Sequence, residues 1–169
     1  SAGDLTLARI CADWPQAREN LMQIKSGWSK HGYEFTLDWL LRCVTAVGTN
    51  QAKFPGLCDL ETDEFVSALG ATEKHVDFLL NLVGSRLGLD HDRVLGGRGA
   101  FAALCWHVNQ SGGYIGDHSE QQRILYWYLH CMMWGRYSGS VESMLQRDLD
   151  AFEADGIDGA IEELRKWRG

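Results

Sequence analysis

Residues able to do chemistry are few in this chain and widely spaced. The densest group is Trp134-Gly135-Arg136-Tyr137-Ser138-Gly139-Ser140, which interrupts the most apolar run of the sequence. An arginine in such a loop is a bidentate ligand for phosphate or carboxylate, and the helix expected to follow offers free backbone N–H groups that suit an anion. The same residues also read as a helix boundary. Arg136 would complement the negative end of the preceding helix, Tyr137 would pack, Gly139 would permit a left-handed turn, and Ser140 would cap the next helix. Arg136, Tyr137, Ser138 and Ser140 are therefore the candidate phosphate or interdomain contacts, with the capping role standing beside that one.

Other candidates are thinner. His91-Asp92 is similar to the histidine-aspartate doublet of metal-dependent phosphohydrolases, which are also all-helical. Such a site needs further His and Asp ligands on facing helices, whereas this doublet sits in LGLDHDRVLGG between glycines, with no second doublet. A small phosphohydrolase using His91 and Asp92 is the enzymatic alternative. His75, His107 and His130 fall in helical stretches with no nucleophile motif beside them, and the GGRG segment (96–99) lacks the phosphate-loop pattern. The five cysteines, Cys11, Cys43, Cys58, Cys105 and Cys131, are odd in number and mostly set among apolar neighbours, as in reduced interiors. None forms a C-x-x-C pair. The residues imply no catalytic constellation, no metal and no cofactor.

The elements that must position these residues are helices, because apolar side chains recur at three- and four-residue spacing and only Pro15 and Pro55 interrupt them. Asp4 is expected to cap a first helix and Pro15 to open a second. A third helix is expected from about Thr36 to Val47, ending at Gly48, and residues 49–60 read as a loop. Thr62 is a candidate cap for a helix over Phe65 to Leu87, with a break at Gly70 and recapping by Thr72. Residues 100–108 are expected to form a short buried helix. Ser119-Glu120-Gln121-Gln122 fits a capping box that opens an apolar helix through Trp134. Ser140 starts a helix whose buried face carries Val141, Met144, Leu145, Leu149 and Phe152, and Asp158 starts the last one. The expected fold is all-α, a single-domain bundle of about seven to nine helices with a central apolar helix near 119–134.

Composition sets the outer limits. With 169 residues and 45% apolar content, one substantial core is expected and two ordinary domains are not. The net charge of −7, with no segment basic overall, is opposite to the footprint of a duplex-binding module. A weak DNA-binding module using Arg136 with Arg123, Arg147 or the Arg165-Lys166-Arg168 tail remains the other alternative. No run is long enough to span a bilayer and no secretory signal is visible, so no membrane partner is expected and residence is expected to be cytoplasmic. Trp14, Trp28, Trp39 and Trp167 are candidate docking aromatics.

Several pieces together resemble the central helical region of the GmrSD-like family of modification-dependent restriction and phage-defence proteins. That family's leading domain has a ParB-like, sulfiredoxin-like fold. The opening Asp4-Leu5-Thr6-Leu7-Ala8-Arg9-Ile10 with Trp14-Pro15 looks like the handover from that domain, and FTLDWLLRCVTAV within Tyr33 to Val47 resembles the intervening helix. ILYWYLHCMMWGRYSGSVESMLQRDLDAF, residues 124–152, looks like the family's closing stretch, in which GRYSGS is the specific part. The family's N-terminal D-G-Q-Q-R motif and C-terminal HNH-type nuclease have no counterpart here. Gln121-Gln122-Arg123 is preceded by Glu120 and belongs to a helix start. The resemblance implies a parent that is a nucleotide-dependent DNA endonuclease, with the Ser1-Ala2-Gly3 start fitting a trimmed boundary. It also implies a non-catalytic scaffold and regulatory module whose partners are the missing N-terminal and C-terminal domains and, through the full-length protein, DNA.

Overall fold

In the computed structural model, which describes residues 1–169, apolar spacing becomes seven α-helices, one 3₁₀ helix and no strand. They are α1 Ala2–Asp13, α2 Ala17–Ser29, α3 Leu37–Thr49, the 3₁₀ helix Phe54–Asp59, α4 Thr62–Leu87, α5 Ala100–Gln110, α6 His118–Trp134 and α7 Val141–Arg168. Their inward faces share one hydrophobic cluster of 47 buried residues running from Leu7 to Leu164, so the chain is a single all-helical domain. No helix is long and apolar enough to cross a membrane.

The helix at the centre is α5. Every residue from Ala100 to Val108 is buried, because α3, α4, α6 and α7 all pack around it. By contrast α6, expected at the centre, is two-sided. Ile124, Leu125, Trp127, Tyr128 and Cys131 face inward, while Tyr126 and Met133 are exposed. Its apolar composition includes residues that the fold leaves at the surface.

Several boundaries differ from expectation for identifiable reasons. Ser1, not Asp4, caps α1, and Asp4 closes the reciprocal bond as the third residue of the capping box. Glu61 rather than Thr62 precedes α4 and pairs with Glu64 in the same way. Asp117 rather than Ser119 caps α6, its carboxylate accepting from the Glu120 amide at 3.2 Å. Thr36 does cap α3, but that helix continues through Gly48 to Thr49 and ends on Asn50, whose side chain accepts from the Trp106 indole at 2.7 Å. The stretch read as a loop at 49–60 contains the 3₁₀ helix, with Phe54 and Leu57 buried. Gly70 does not break α4, which runs unbroken from Thr62 to Leu87. Phe65, Leu69, Val76 and Leu79 anchor the helix on both sides of it, and the Thr72 hydroxyl donates back to the Ala68 carbonyl.

At Asp155 and Gly156, α7 leaves helical geometry, and the chain reverses there. Arg147 and Glu163 lie 2.5 Å apart across the break, whereas sixteen residues of straight helix would separate them by about 24 Å. The two halves of α7 thus form a helical hairpin, consistent with the separate helix expected from about Asp158.

Candidate functional site

The WGRYSGS segment begins as a helix stop. Gly135 adopts a left-handed φ of 65°, which lets the Arg136 amide reach back to the Cys131 carbonyl at 3.1 Å and the Gly135 amide to Met132. This satisfies the last carbonyls of α6 in a Schellman turn. The left-handed residue is therefore Gly135 and not Gly139. The Ser138 hydroxyl donates to the Gly135 carbonyl at 2.7 Å, tightening the same turn. Ser140 occupies the cap position of α7, with its hydroxyl bonded to that of Ser143 at 2.9 Å rather than to a backbone amide.

After that turn the chain carries Arg136 and Tyr137 inward. Arg136 is 1% exposed and is among the largest fully buried side chains of the protein. Its Nε and Nη2 donate to the two oxygens of Asp148 at 2.8 and 2.7 Å, a bidentate pair, and the Tyr137 hydroxyl donates to Asp148 as well. Nη2 also reaches Glu163 at 3.4 Å, and Glu163 in turn holds Arg147. The guanidinium carbon lies 5.2 Å from the centre of the Trp167 ring. Two cations and two anions thus form a balanced cluster that joins the end of α6 to both halves of α7.

The electrostatics follow from this burial. Desolvation pushes the Asp148 carboxyl up from the ordinary carboxylate range, against the opposing pull of Arg136 and Tyr137. Desolvation works against the Arg136 charge too, but the bonds to Asp148 outweigh it, and the guanidinium stays cationic. Burial and the adjacent Asp148 charge hold the Tyr137 phenol well above its usual value.

Of the four candidate contacts, then, Arg136 and Tyr137 are interior, with Nε and Nη2 of Arg136 and the Tyr137 hydroxyl donating to Asp148 and Nη1 of Arg136 alone buried without a partner. A guanidinium so enclosed is not free to clamp a phosphate. Only Ser138 and Ser140 face solvent. Asp148, Arg147 and Glu163 were not singled out in the sequence, although Asp148 carries a legible signal. It lies three residues after Leu145 and four before Phe152, an acid on the apolar stripe of its helix. An ionisable residue at such a place requires a partner.

The remaining candidates also have structural duties. Asp92 accepts from the Glu34 amide at 2.9 Å and from Arg98 Nη2 at 2.6 Å, while Arg98 donates further to the carbonyls of Glu34, Asp92 and Leu95. The His91-Asp92 doublet is thereby a clip between the α2–α3 connection and the turn before α5. No group of three or more His, Cys, Asp or Glu is placed to hold a metal ion, so the two-residue doublet lacks a third ligand. In the GGRG segment, the Gly96 carbonyl accepts from Tyr128, and Gly99 lies so close to the Tyr137 ring that an added Cβ would come within 2.7 Å of it. His107 is bonded to Glu120 at 2.8 Å, His75 to Asn109 at 2.9 Å, and His130 to the Tyr126 carbonyl at 2.8 Å.

Among the basic residues proposed for DNA, Arg123 pairs with Asp158, Arg147 with Glu163 and Lys166 with Glu162. Trp28 is buried, and Trp14, Trp39 and Trp167 are half-buried against the core, so none of these tryptophans is fully exposed. All five cysteines are free thiols, and Cys43, Cys105 and Cys131 are buried. No protein-family model, curated protein or solved structure matches the chain.

Proposed function

We propose that this chain is a non-catalytic helical scaffold and regulatory module of a GmrSD-like modification-dependent restriction or phage-defence protein. In this reading it relays nucleotide or DNA engagement between the flanking lobes of a larger nucleotide-dependent endonuclease. The family half of the proposal rests on the likeness of residues 124–152, and of GRYSGS above all, to that family's closing helical stretch. The scaffold half is carried by one observation. The polar side chains of GRYSGS with the strongest chemistry, Arg136 and Tyr137, engage Asp148 in the interior and fix α6 against both halves of α7. A relay needs elements that move together, and a buried, bidentate, charge-balanced cluster supplies that rigidity. Ser138 and Ser140, exposed beside it, are the residues left for contact with a neighbouring lobe.

The test is to read the coding sequence upstream of the Ser1 codon. A D-G-Q-Q-R motif set between a strand and a helix is the expected result. A start codon within a few residues of Ser1 would overturn the family half, leaving the helical cluster with a purely architectural role.

A further inference from the structure

Between α2 and α4 lies a groove that the fold leaves open. Helix α2 packs on α1 and α3 and barely touches α4, the bridge between them being the Trp28 indole, which donates to Asp77 at 2.7 Å. Two cavities of about 530 and 600 Å³ share Trp28, His31 and Asp77, so they adjoin along the groove on either side of the Trp28–Asp77 bridge. From Val66 to Ser85 the α4 wall of the groove is about 28 Å long, or five helical turns. The floor is apolar, made by Trp14, Ile24, Trp28 and Leu69, and Val66 stands exposed on the rim.

Three features of this groove work against the stability of the isolated domain. Gly27 and Gly70 sit within α2 and α4, where glycine costs about 1 kcal/mol each relative to alanine. Both line the groove, and a Cβ on either would meet nothing within 4 Å, so no contact inside the protein requires them. Glu73 and Asp77 are one helical turn apart, an arrangement in which like charges repel. Neither they nor Asp90 farther along the groove takes part in any ion pair. Burial pushes the Glu73 carboxyl up from its usual range and the Asp77 charge adds to the effect, the mark of an anion without a cation.

We infer that the α2–α4 groove is the docking site of a basic amphipathic helix from a partner polypeptide. Its apolar stripe would seat on Val66, Ile24 and Trp14, and its lysines or arginines would meet Glu73, Asp77 and Asp90. Charge decides the sign of the partner, because the three carboxylates along the groove lack cations of their own. A helix suits the shape because it satisfies its own backbone, and the groove offers apolar side chains rather than a ladder of free backbone groups. Gly27 and Gly70 admit it close to both walls. The inference goes beyond the scaffold reading and does not depend on the family to which the chain is assigned.

The probe is a fluorescein-labelled peptide of about 18 residues with Leu and Lys at helical spacing, about 27 Å long when folded. It is titrated by anisotropy into the full chain. The comparison peptides are the Leu/Glu version of the same pattern and a Lys/Gly/Ser peptide of equal charge. Saturable binding of the Leu/Lys peptide is expected, with a change in the Trp28 indole N–H resonance. Gly70→Met, which fills the groove where space is free, and Glu73→Lys, which reverses the local charge, are each expected to weaken binding at least tenfold. Both variants should keep the wild-type helical content by circular dichroism, which separates lost binding from lost folding. Binding that is unchanged in both variants would overturn the inference. So would equal affinity for either comparison peptide, or self-association of the chain that Gly70→Met abolishes, since a second copy would then be the occupant.

Discussion

Removing one member of the Arg136–Asp148 pair is predicted to cost far more than removing both. Each side chain is fully buried, and Asp148 accepts from two guanidinium nitrogens and from Tyr137. Arg136→Met keeps the aliphatic volume but leaves a carboxylate in the interior with only the Tyr137 hydroxyl. Asp148→Asn keeps the shape but strands the guanidinium, with Glu163 at 3.4 Å as its one remaining anion. Breaking a buried pair in this way costs about 3–5 kcal/mol, whereas replacing both partners removes the charges together and is often close to neutral. The double variant should therefore lose much less than the sum of the singles, with a coupling energy of at least about 2 kcal/mol. Urea denaturation reads this directly. With a slope of about 1–3 kcal/mol per molar, each single variant should lower the midpoint by more than about 1 M. Losses below about 1 kcal/mol for both single variants, the range of exposed pairs, would refute the reasoning. They would place Arg136 in solvent and return it to the list of possible phosphate ligands.

Other consequences can be checked with the same denaturation assay. Leu104→Ala, at the centre of α5 and fully buried, should cost about 2–5 kcal/mol, while Leu129→Ala, half-buried on α6, should cost clearly less; the reverse order would make α6 the central helix. Burial raises the phenols of Tyr128 and Tyr137 and the thiols of Cys43 and Cys131. The unfolded chain therefore releases these protons first, and stability, fully present below about pH 8, should fall as pH rises through the ordinary thiol and phenol values. The slope should reach about 1.4 kcal/mol per pH unit for each group involved, and constant stability to pH 11 would contradict the burial of these groups. Gly156 holds φ 59° and ψ −147° at the reversal of α7, a region open essentially to glycine alone, so Gly156→Ala should cost about 1–3 kcal/mol; no change in midpoint would mean that the hairpin turns elsewhere.

The helices were legible because the periodic burial that stabilises them is written in the spacing of Leu, Val, Ile and Phe. Their ends were less so. Asp117 and Ser119 are both good caps, as are Ser1 and Asp4, and periodicity does not choose between residues so close together. Gly70 looked like a break because local propensity disfavours it, yet the packing of Phe65, Leu69, Val76 and Leu79 outweighs that penalty. That α5 rather than α6 is the enclosed helix is hidden from the sequence for a different reason. Tyr126 and Met133 count as apolar in a composition, but only the arrangement of the neighbouring helices determines that they face water while the shorter α5 is enclosed. At the candidate site the turn at 134–140 was correctly placed between two helices. What the loop alone did not disclose was the direction of Arg136, which depends on Asp148 and Glu163, acids brought to it by the two halves of α7.

The groove and the buried cluster occupy different parts of the domain, and the packing order constrains how they could communicate. The groove lies between α2 and α4, and the cluster ties α6 to the hairpin of α7. Helix α3 packs on α2 and α4, and α5 packs on α3, α4, α6 and α7. A helix seated in the groove would press on α2 and α4, and its influence would pass through the α3–α5 contact to reach α6 and α7. Both helices are buried in the core, with Cys43 and Val44 of α3 and Phe101 and Leu104 of α5 fully buried, and a close-packed interior transmits displacement instead of absorbing it. The Arg136–Asp148 pair binds three helical pieces into one body, and a push on any of them is shared by all three. This gives the relay reading a physical criterion. Peptide occupancy of the groove should change the response of the Arg136 cluster, and a double-mutant coupling energy for Arg136 and Asp148 that is the same with and without bound peptide would mean that the two sites are energetically independent.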